Sequence, residues 1–74
     1  MTKTFDKYPT PISMRSGAKV SWYDYDNLDD AKRASDIAKQ IRDYKWNLGY
    51  DFGWLTPGDI TSDRDGTRWT VVIP

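Results

Sequence analysis

Three residue types that carry much of protein chemistry are missing, because the 74 residues include no cysteine, no histidine and no glutamate. Their absence excludes disulfide cross-links, cysteine nucleophiles, thiolate or imidazole metal sites and every catalytic dyad or triad that needs imidazole. No apolar run approaches the roughly 18 residues of a transmembrane helix, and the first eight residues lack the apolar stretch of a signal peptide. We therefore expect a cytoplasmic protein with no membrane segment.

Eleven Lys and Arg balance eleven acidic residues, all of them Asp, so the formal net charge is zero. A zero total argues against a strongly basic nucleic-acid-binding protein, although it can hide a polarised surface. The length suits one small domain, and the aromatic content of 15% is not that of a disordered chain.

A helix over residues 28–48 is the clearest element. Asn27 is a good N-cap, and Gly49 is suited to the left-handed residue that ends a helix. Between them the apolar residues recur at spacings of three and four, which is typical of one buried stripe. The stripe consists of Leu28, Ala31, Ala34, Ile37, Ala38, Ile41, Tyr44 and Leu48.

Alternation of apolar and polar residues predicts strands over residues 19–25 and 67–73, with a short edge strand over 12–14. Residues 50–55 alternate in the same way, whereas residues 59–64 are interpreted as a polar loop. Gly17 is expected to supply a positive φ in a hairpin loop, and Asp65-Gly66 resembles the step of a type I′ turn. Pro9 and Pro11 favour an extended arm over residues 1–11.

These elements predict an α+β domain over residues 12–74 in the order (β)βαββ. We expect a three- to four-stranded, mostly antiparallel sheet with one helix on one face, similar to a split β-α-β fold. The run Val71-Val72-Ile73 favours a central position for the last strand. The single helix leaves one face open, and that face is expected to carry Lys19, Ser21, Tyr23, Tyr25, Arg68, Thr70 and Val72, with Trp22, Trp54 and Trp69 in the core.

Two groups of acids invite a metal or catalytic interpretation. In residues 59–66 a calcium-loop alignment places Thr61, Asp63 and Asp65 at ligand positions, but the bidentate acid falls on Val72 and no helix flanks the loop. Asp24 and Asp26 precede the helix, where paired carboxylates hold Mg²⁺ or act as acid and base. The helix dipole also explains acids there. We expect no catalytic residue, no metal and no cofactor.

Contact with another macromolecule is the remaining role. A core below roughly 70–80 residues rarely supplies more than about 3–5 kcal/mol without a cross-link, a metal or an oligomer. We therefore expect a homodimer or higher oligomer, formed through the open face or a strand edge; the alternative is a well-packed monomer with a hydrophilic open face. Trp46 lies off the helix stripe, either capping the core or anchoring a partner. The predicted interaction surface is Lys19, Tyr23, Tyr25, Trp46 and Arg68. The alternative is single-stranded nucleic-acid binding by sheet aromatics with Arg15, Lys19 and Arg68.

Four segments resemble small uncharacterised proteins of tailed bacteriophages: residues 15–25 (RSGAKVSWYDY), 49–53 (GYDFG), 57–60 (PGDI) and 69–74 (WTVVIP). The resemblance covers roughly residues 9–74 and carries over no catalytic or binding residue. It implies a viral accessory protein acting in the bacterial cytoplasm. The expected function is therefore a non-enzymatic interaction module that self-associates and binds a host or viral protein.

Overall fold

The computed structural model describes residues 4–74 and contains one helix and four strands. In chain order these are β1 (Ser13–Ser16), β2 (Ser21–Tyr25), α1 (Leu28–Asn47), β3 (Ile60–Ser62) and β4 (Trp69–Ile73). The strands form one antiparallel sheet in the order β1-β2-β4-β3. The predicted α+β class is confirmed, and the last strand lies between two neighbours as expected.

Helix α1 begins and ends where the sequence predicts. The Asn27 side chain accepts a hydrogen bond from the Asp30 amide at 2.8 Å. Leu48 is the C-cap residue, and Gly49 follows it with a φ of 95°. Ala31, Ala34 and Ala38 are 0% exposed. These small side chains let the helix lie close to the sheet. The helix is not apolar enough to cross a membrane.

The core lies between α1 and one face of the sheet, here called the inner face. Tyr25, Val71 and Ile73 are buried there against the helix alanines, with Tyr23, Trp69 and Ile60 around them. The opposite, outer face follows from the strand register. One row across it is Arg15, Trp22 and Val72, and the next is Ser13, Asp24, Thr70 and Thr61.

The predicted faces of β4 agree with this arrangement, whereas those of β2 are wrong. Tyr23 and Tyr25 point to the inner face, and Trp22 points to the outer face. A shift of one residue exchanges the two faces of a strand. In β2 both alternating sets carry large aromatics, so apolar alternation does not decide between them. Asp24 does decide, because its carboxylate finds hydroxyl partners on the outer face.

The third strand is also not where the alternation of residues 50–55 predicts it. Those residues form turns instead: Asp51 accepts a hydrogen bond from the Gly53 amide at 2.7 Å, and Gly53 has a φ of 64°. Strand β3 falls in the segment interpreted as a loop, where Ile60 pairs with Val71. Ile60 and Thr61 are β-branched residues that suit this pairing.

The structure differs from the sequence prediction at two turns. Gly17 does not have a positive φ. It is required for a different reason, because a Cβ atom there would lie 2.8 Å from Cζ3 of Trp22. The β3–β4 connection is not a type I′ turn, since no residue other than glycine has a positive φ among residues 4–74 and Asp65 therefore cannot adopt it. Gly66 alone in that loop is left-handed, with a φ of 67°.

The N-terminal arm packs on the same side of the sheet as the helix. Residues 1–3 of the predicted arm lie outside the described residues, and residues 4–11 adopt neither helix nor strand. Phe5 and Tyr44 are 5.5 Å apart between ring centroids, as are Tyr8 and Tyr23. The Tyr25 hydroxyl donates to the Pro9 carbonyl at 2.9 Å. The arm thus adds to the helix layer and does not cover the outer face.

Candidate interaction surface

The five predicted interaction residues do not lie on one surface. Tyr25 is 1% exposed, and Tyr23 is half-buried beneath Tyr8 of the arm. Lys19 is exposed in the β1–β2 turn, and Arg68 is exposed beside the outer face. Trp46, on the helix, is 64% exposed. Trp46 on the helix and Arg68 beside the outer face therefore do not share one face of the sheet.

Exposed apolar side chains concentrate at the end of α1 and just beyond it. Seven large apolar side chains are exposed among residues 4–74, and four of these lie within residues 46–54, which we call the helix-end segment. They are Trp46 at 64%, Leu48 at 59%, Tyr50 at 57% and Trp54 at 89% exposed. Single exposed apolar residues are ordinary, but four of them so close together in the chain make this segment a candidate contact site.

A helix-ending motif positions the first part of this segment. The Tyr50 amide donates to the Lys45 carbonyl and the Gly49 amide donates to the Trp46 carbonyl, each at 3.0 Å. This is the hydrogen-bond pattern of a Schellman motif. The Lys45 ammonium lies 5.6 Å from the centroid of the Tyr50 ring, so a cation–π contact holds that ring in place. Leu48 and Tyr50 are consequently fixed relative to the helix.

The second part of the segment is held by a buried residue and a turn. Phe52 is 6% exposed, and its carbonyl accepts from the Leu55 amide at 3.1 Å. Trp54 lies inside that turn, with its side chain directed to solvent. Farther along, the Gly58 amide donates to the Val72 carbonyl at 2.7 Å, and the Ser35 hydroxyl donates to the Gly58 carbonyl. Because the backbone of the segment is held at both ends, it loses little freedom when a partner covers it.

The outer face carries a buried carboxylate at its centre. Asp24 is 5% exposed. Its two oxygens accept hydrogen bonds from the Ser13 and Thr70 hydroxyls, both at 2.5 Å, and the Arg68 guanidinium lies 3.9 Å away. Burial raises the pKa of Asp24, but these hydrogen bonds, with the charges of Arg15 and Arg68, lower it by more. The net pKa lies below the ordinary 3.8.

This cluster connects three strands, since Ser13 is in β1, Asp24 in β2 and Thr70 in β4. Both carboxylate oxygens are engaged by hydroxyl donors. A carboxylate so engaged holds the strands in register and is poorly placed to accept a proton from a substrate.

Among residues 4–74, the strand register places the aromatic side chain of Trp22 on the outer face. The Arg15 guanidinium lies 5.7 Å from its ring centroid. Trp69 lies on the inner face, and Trp46 and Trp54 belong to the helix-end segment. The expected core position of Trp54 is wrong, because the turns of residues 50–55 replace the predicted strand.

The acids that suggested a metal site have local structural partners. Asp63 accepts hydrogen bonds from the Thr67 amide at 2.9 Å, the Thr67 hydroxyl at 3.1 Å and the Arg68 amide at 3.3 Å. These bonds, the Thr67 amide foremost, lower the pKa of Asp63. Asp26 accepts from the Asn27 side chain at 3.3 Å. Within residues 4–74 no three acidic side chains are grouped so that they could hold a metal ion.

Comparison with protein-family models, with curated proteins and with solved structures gives no match. The candidate site is therefore inferred from the contacts and exposure of this chain's own residues. Trp46 was predicted from the sequence as a possible anchor, whereas Leu48, Tyr50 and Trp54, which are exposed near it in the chain, were not predicted. The signal that identifies them is the turn chemistry of Gly49, Asp51 and Gly53, which interrupts any strand in this segment.

Proposed function

We propose that this chain is a non-enzymatic protein-interaction module that binds a partner protein through the helix-end segment. The observation that supports this most directly is the exposure of Trp46, Leu48, Tyr50 and Trp54 on a segment fixed at both ends. Tryptophan and tyrosine are enriched among the residues that dominate interface energies. Each combines a large apolar area with few rotatable bonds.

Trp54 offers the largest single gain. It is 89% exposed, and covering that part of an aromatic of about 150–250 Å² at about 25 cal/mol per Å² gives roughly 3–6 kcal/mol before the cost of association. Leaving such a side chain in water contributes nothing to folding. A binding partner that covered it would recover this free energy.

The rest of the chain agrees with a role in contact rather than catalysis. Histidine, cysteine and glutamate are missing from the sequence, and the buried carboxylate, Asp24, is engaged by Ser13 and Thr70. The resemblance to small tailed-phage proteins implies an accessory role in the bacterial cytoplasm, in which the chain self-associates and also binds a host or viral protein.

Site-specific photo-crosslinking tests the proposal. A benzoyl-phenylalanine residue replaces Trp54 or Trp46 in the chain expressed in bacteria, and Arg33, exposed on the helix away from the segment, is the control position. Irradiation should give protein adducts at 54 and 46 that are missing at 33. The purified partner should then bind at least about 30-fold more weakly to Trp54→Ala, as expected for an interface residue worth about 2 kcal/mol. Identical products at all three positions, or none, contradict the proposal.

Single-stranded nucleic-acid binding on the outer face is a second candidate. It is favoured by Trp22 sharing that face with the Arg15 guanidinium, 5.7 Å from its ring, and with the exposed Arg68. Aromatic and arginine side chains together stack bases and contact phosphates. The chain should then be retained on immobilised single-stranded DNA at low salt and released as salt rises. Arg15→Ala with Arg68→Ala should abolish retention, whereas the control pair Lys32→Ala with Arg33→Ala should not.

A further inference from the structure

We infer that the partner of the helix-end segment is a second copy of this chain, paired about a two-fold axis; this inference rests on the proposed function. The first observation is how little apolar volume the domain buries by itself. Among residues 4–74 the core has nine buried hydrophobic residues, three of them alanine, and the large side chains that are fully buried are Tyr25 and Val71. Domains of this size usually need additional burial.

The missing burial is present outside the core. Two of the four tryptophans are exposed in the helix-end segment together with Tyr50. A partner that completes a small domain must be available whenever the domain folds. A second copy meets that condition, because it is made together with the first and at the same concentration.

The area of the segment agrees with a symmetric pair. Trp46, Tyr50 and Trp54 are 64%, 57% and 89% exposed. At about 150–250 Å² for each complete side chain they offer about 300–500 Å² per copy. A symmetric contact that covers all three aromatics completely on both copies would bury about 600–1,000 Å², before Leu48 and the polar rim are added. Specific interfaces begin at about 1,000–1,200 Å² in total.

The charges also suit self-association. The formal net charge is zero, so two copies approach without long-range repulsion. The helix-end segment contains Asp51 and begins beside Lys45, whose ammonium lies over Tyr50. In a two-fold contact, if one residue of the first copy meets a second residue of the other copy, the same pair also forms with the copies exchanged. A contact between Lys45 of one copy and Asp51 of the other would therefore form twice in the pair.

The mass of the chain across a dilution series tests the inference, measured by analytical ultracentrifugation at neutral pH. We expect twice the 8.6 kDa monomer mass at high concentration and a return to 8.6 kDa on dilution. Trp54→Ala and Trp46→Ala should each raise the dissociation constant about a thousand-fold. Each substitution occurs twice in a symmetric pair. Because one interface tryptophan changes the dissociation constant by at least about 30-fold, the two changes multiply to about a thousand-fold.

Met14→Ala is the matched control, because Met14 is 61% exposed on the edge strand β1. It should leave the dissociation constant within about two-fold of the original. Circular dichroism checks that each variant folds. Trp54 and Trp46 are both largely exposed, so neither substitution removes core packing. Weaker dimerisation of both variants therefore reports on the contact between copies and not on folding.

Three results overturn the inference. A monomer at every concentration removes the second copy as partner, and the proposed function then depends on whether crosslinks from position 54 reach a different protein. A dimer that survives both tryptophan substitutions and is weakened by Met14→Ala moves the contact to the β1 edge. A dimer that survives all three substitutions places it elsewhere, for example on the outer face. Crosslinks from position 54 to a second copy of the chain support the inference independently.

Discussion

Replacing Asp24 by asparagine tests whether a buried charge holds the outer face together. The substitution keeps the size of the side chain but leaves one carbonyl oxygen where two carboxylate oxygens now accept from Ser13 and Thr70 at 2.5 Å. One of the two hydroxyls then faces an NH₂ group and must rotate to accept from it. The connection between β1, β2 and β4 persists in a weaker, neutral form.

The magnitude follows from the two hydrogen bonds. A bond to a charged group contributes about 1.5–3 kcal/mol, against about 0.5–1.5 kcal/mol for a neutral pair. Losing the charge at both therefore costs about 2 kcal/mol. Arg68 contributes little to this sum, because its side chain is 53% exposed and lies 3.9 Å from the carboxylate. In a domain of this size about 2 kcal/mol lowers the melting temperature by roughly 8–16 °C.

Urea unfolding followed by tryptophan fluorescence measures this difference, and its pH dependence identifies the cause. The pKa of Asp24 is lower in the folded chain than the ordinary 3.8. The stabilisation is therefore fully present above pH 3.8. It is lost as the pH falls from there through the folded-state pKa. The difference in the free energy of unfolding between the variant and the original chain should therefore shrink over that pH range from its value at pH 7.

The control is Asp36→Asn, an exposed position on the helix, which should change stability by less than about 0.5 kcal/mol. If Asp24→Asn is as stable as the original chain at pH 7, the carboxylate does not hold the strands together. If the difference is present but does not shrink in acid, the loss comes from shape rather than charge.

Four further substitutions test local features by urea unfolding at pH 7. The buried Tyr8 hydroxyl has no hydrogen-bond partner among residues 4–74, so Tyr8→Phe should leave stability unchanged or raise it by up to about 1 kcal/mol. Tyr25→Phe removes the 2.9 Å bond to the arm and should cost about 1 kcal/mol; equal effects of the two changes contradict this account. Gly17→Ala should cost about 1–3 kcal/mol with a shift in tryptophan emission, because the new Cβ would lie 2.8 Å from Trp22; an unchanged emission spectrum means that the loop moves instead. Asn27→Ala removes the helix cap and should cost about 1 kcal/mol, and a loss below about 0.3 kcal/mol shows that water replaces the cap.

Features set by neighbouring residues were predictable from the sequence. Asn27 and Gly49 bound the helix because capping depends on a few consecutive residues. The central position of β4 was predictable because Val71, Val72 and Ile73 are apolar on both faces.

Features set by distant partners were not predictable. The faces of β2 depend on Ser13 and Thr70, which meet Asp24 only in the folded sheet. The position of β3 depends on its pairing with β4. In residues 50–55 the apolar–polar alternation favours a strand, but Gly49 and Gly53 form turns there instead. Of the interaction residues, Trp46 was recognised by its place off the helix stripe. Tyr25 was misplaced with the rest of β2.

The order of the strands has a consequence for how the chain is made. Strand β4 lies between β2 and β3 and also packs against α1, yet it is the last of the five elements to be synthesised. A ribosome that has completed α1 holds only a hairpin and an amphipathic helix, whose alanine seam has no Val71 or Ile73 to contact. Folding therefore waits for residue 73 to leave the exit tunnel. Until then the nascent chain exposes Tyr25 and the free edge of β2 to aggregation and to chaperones.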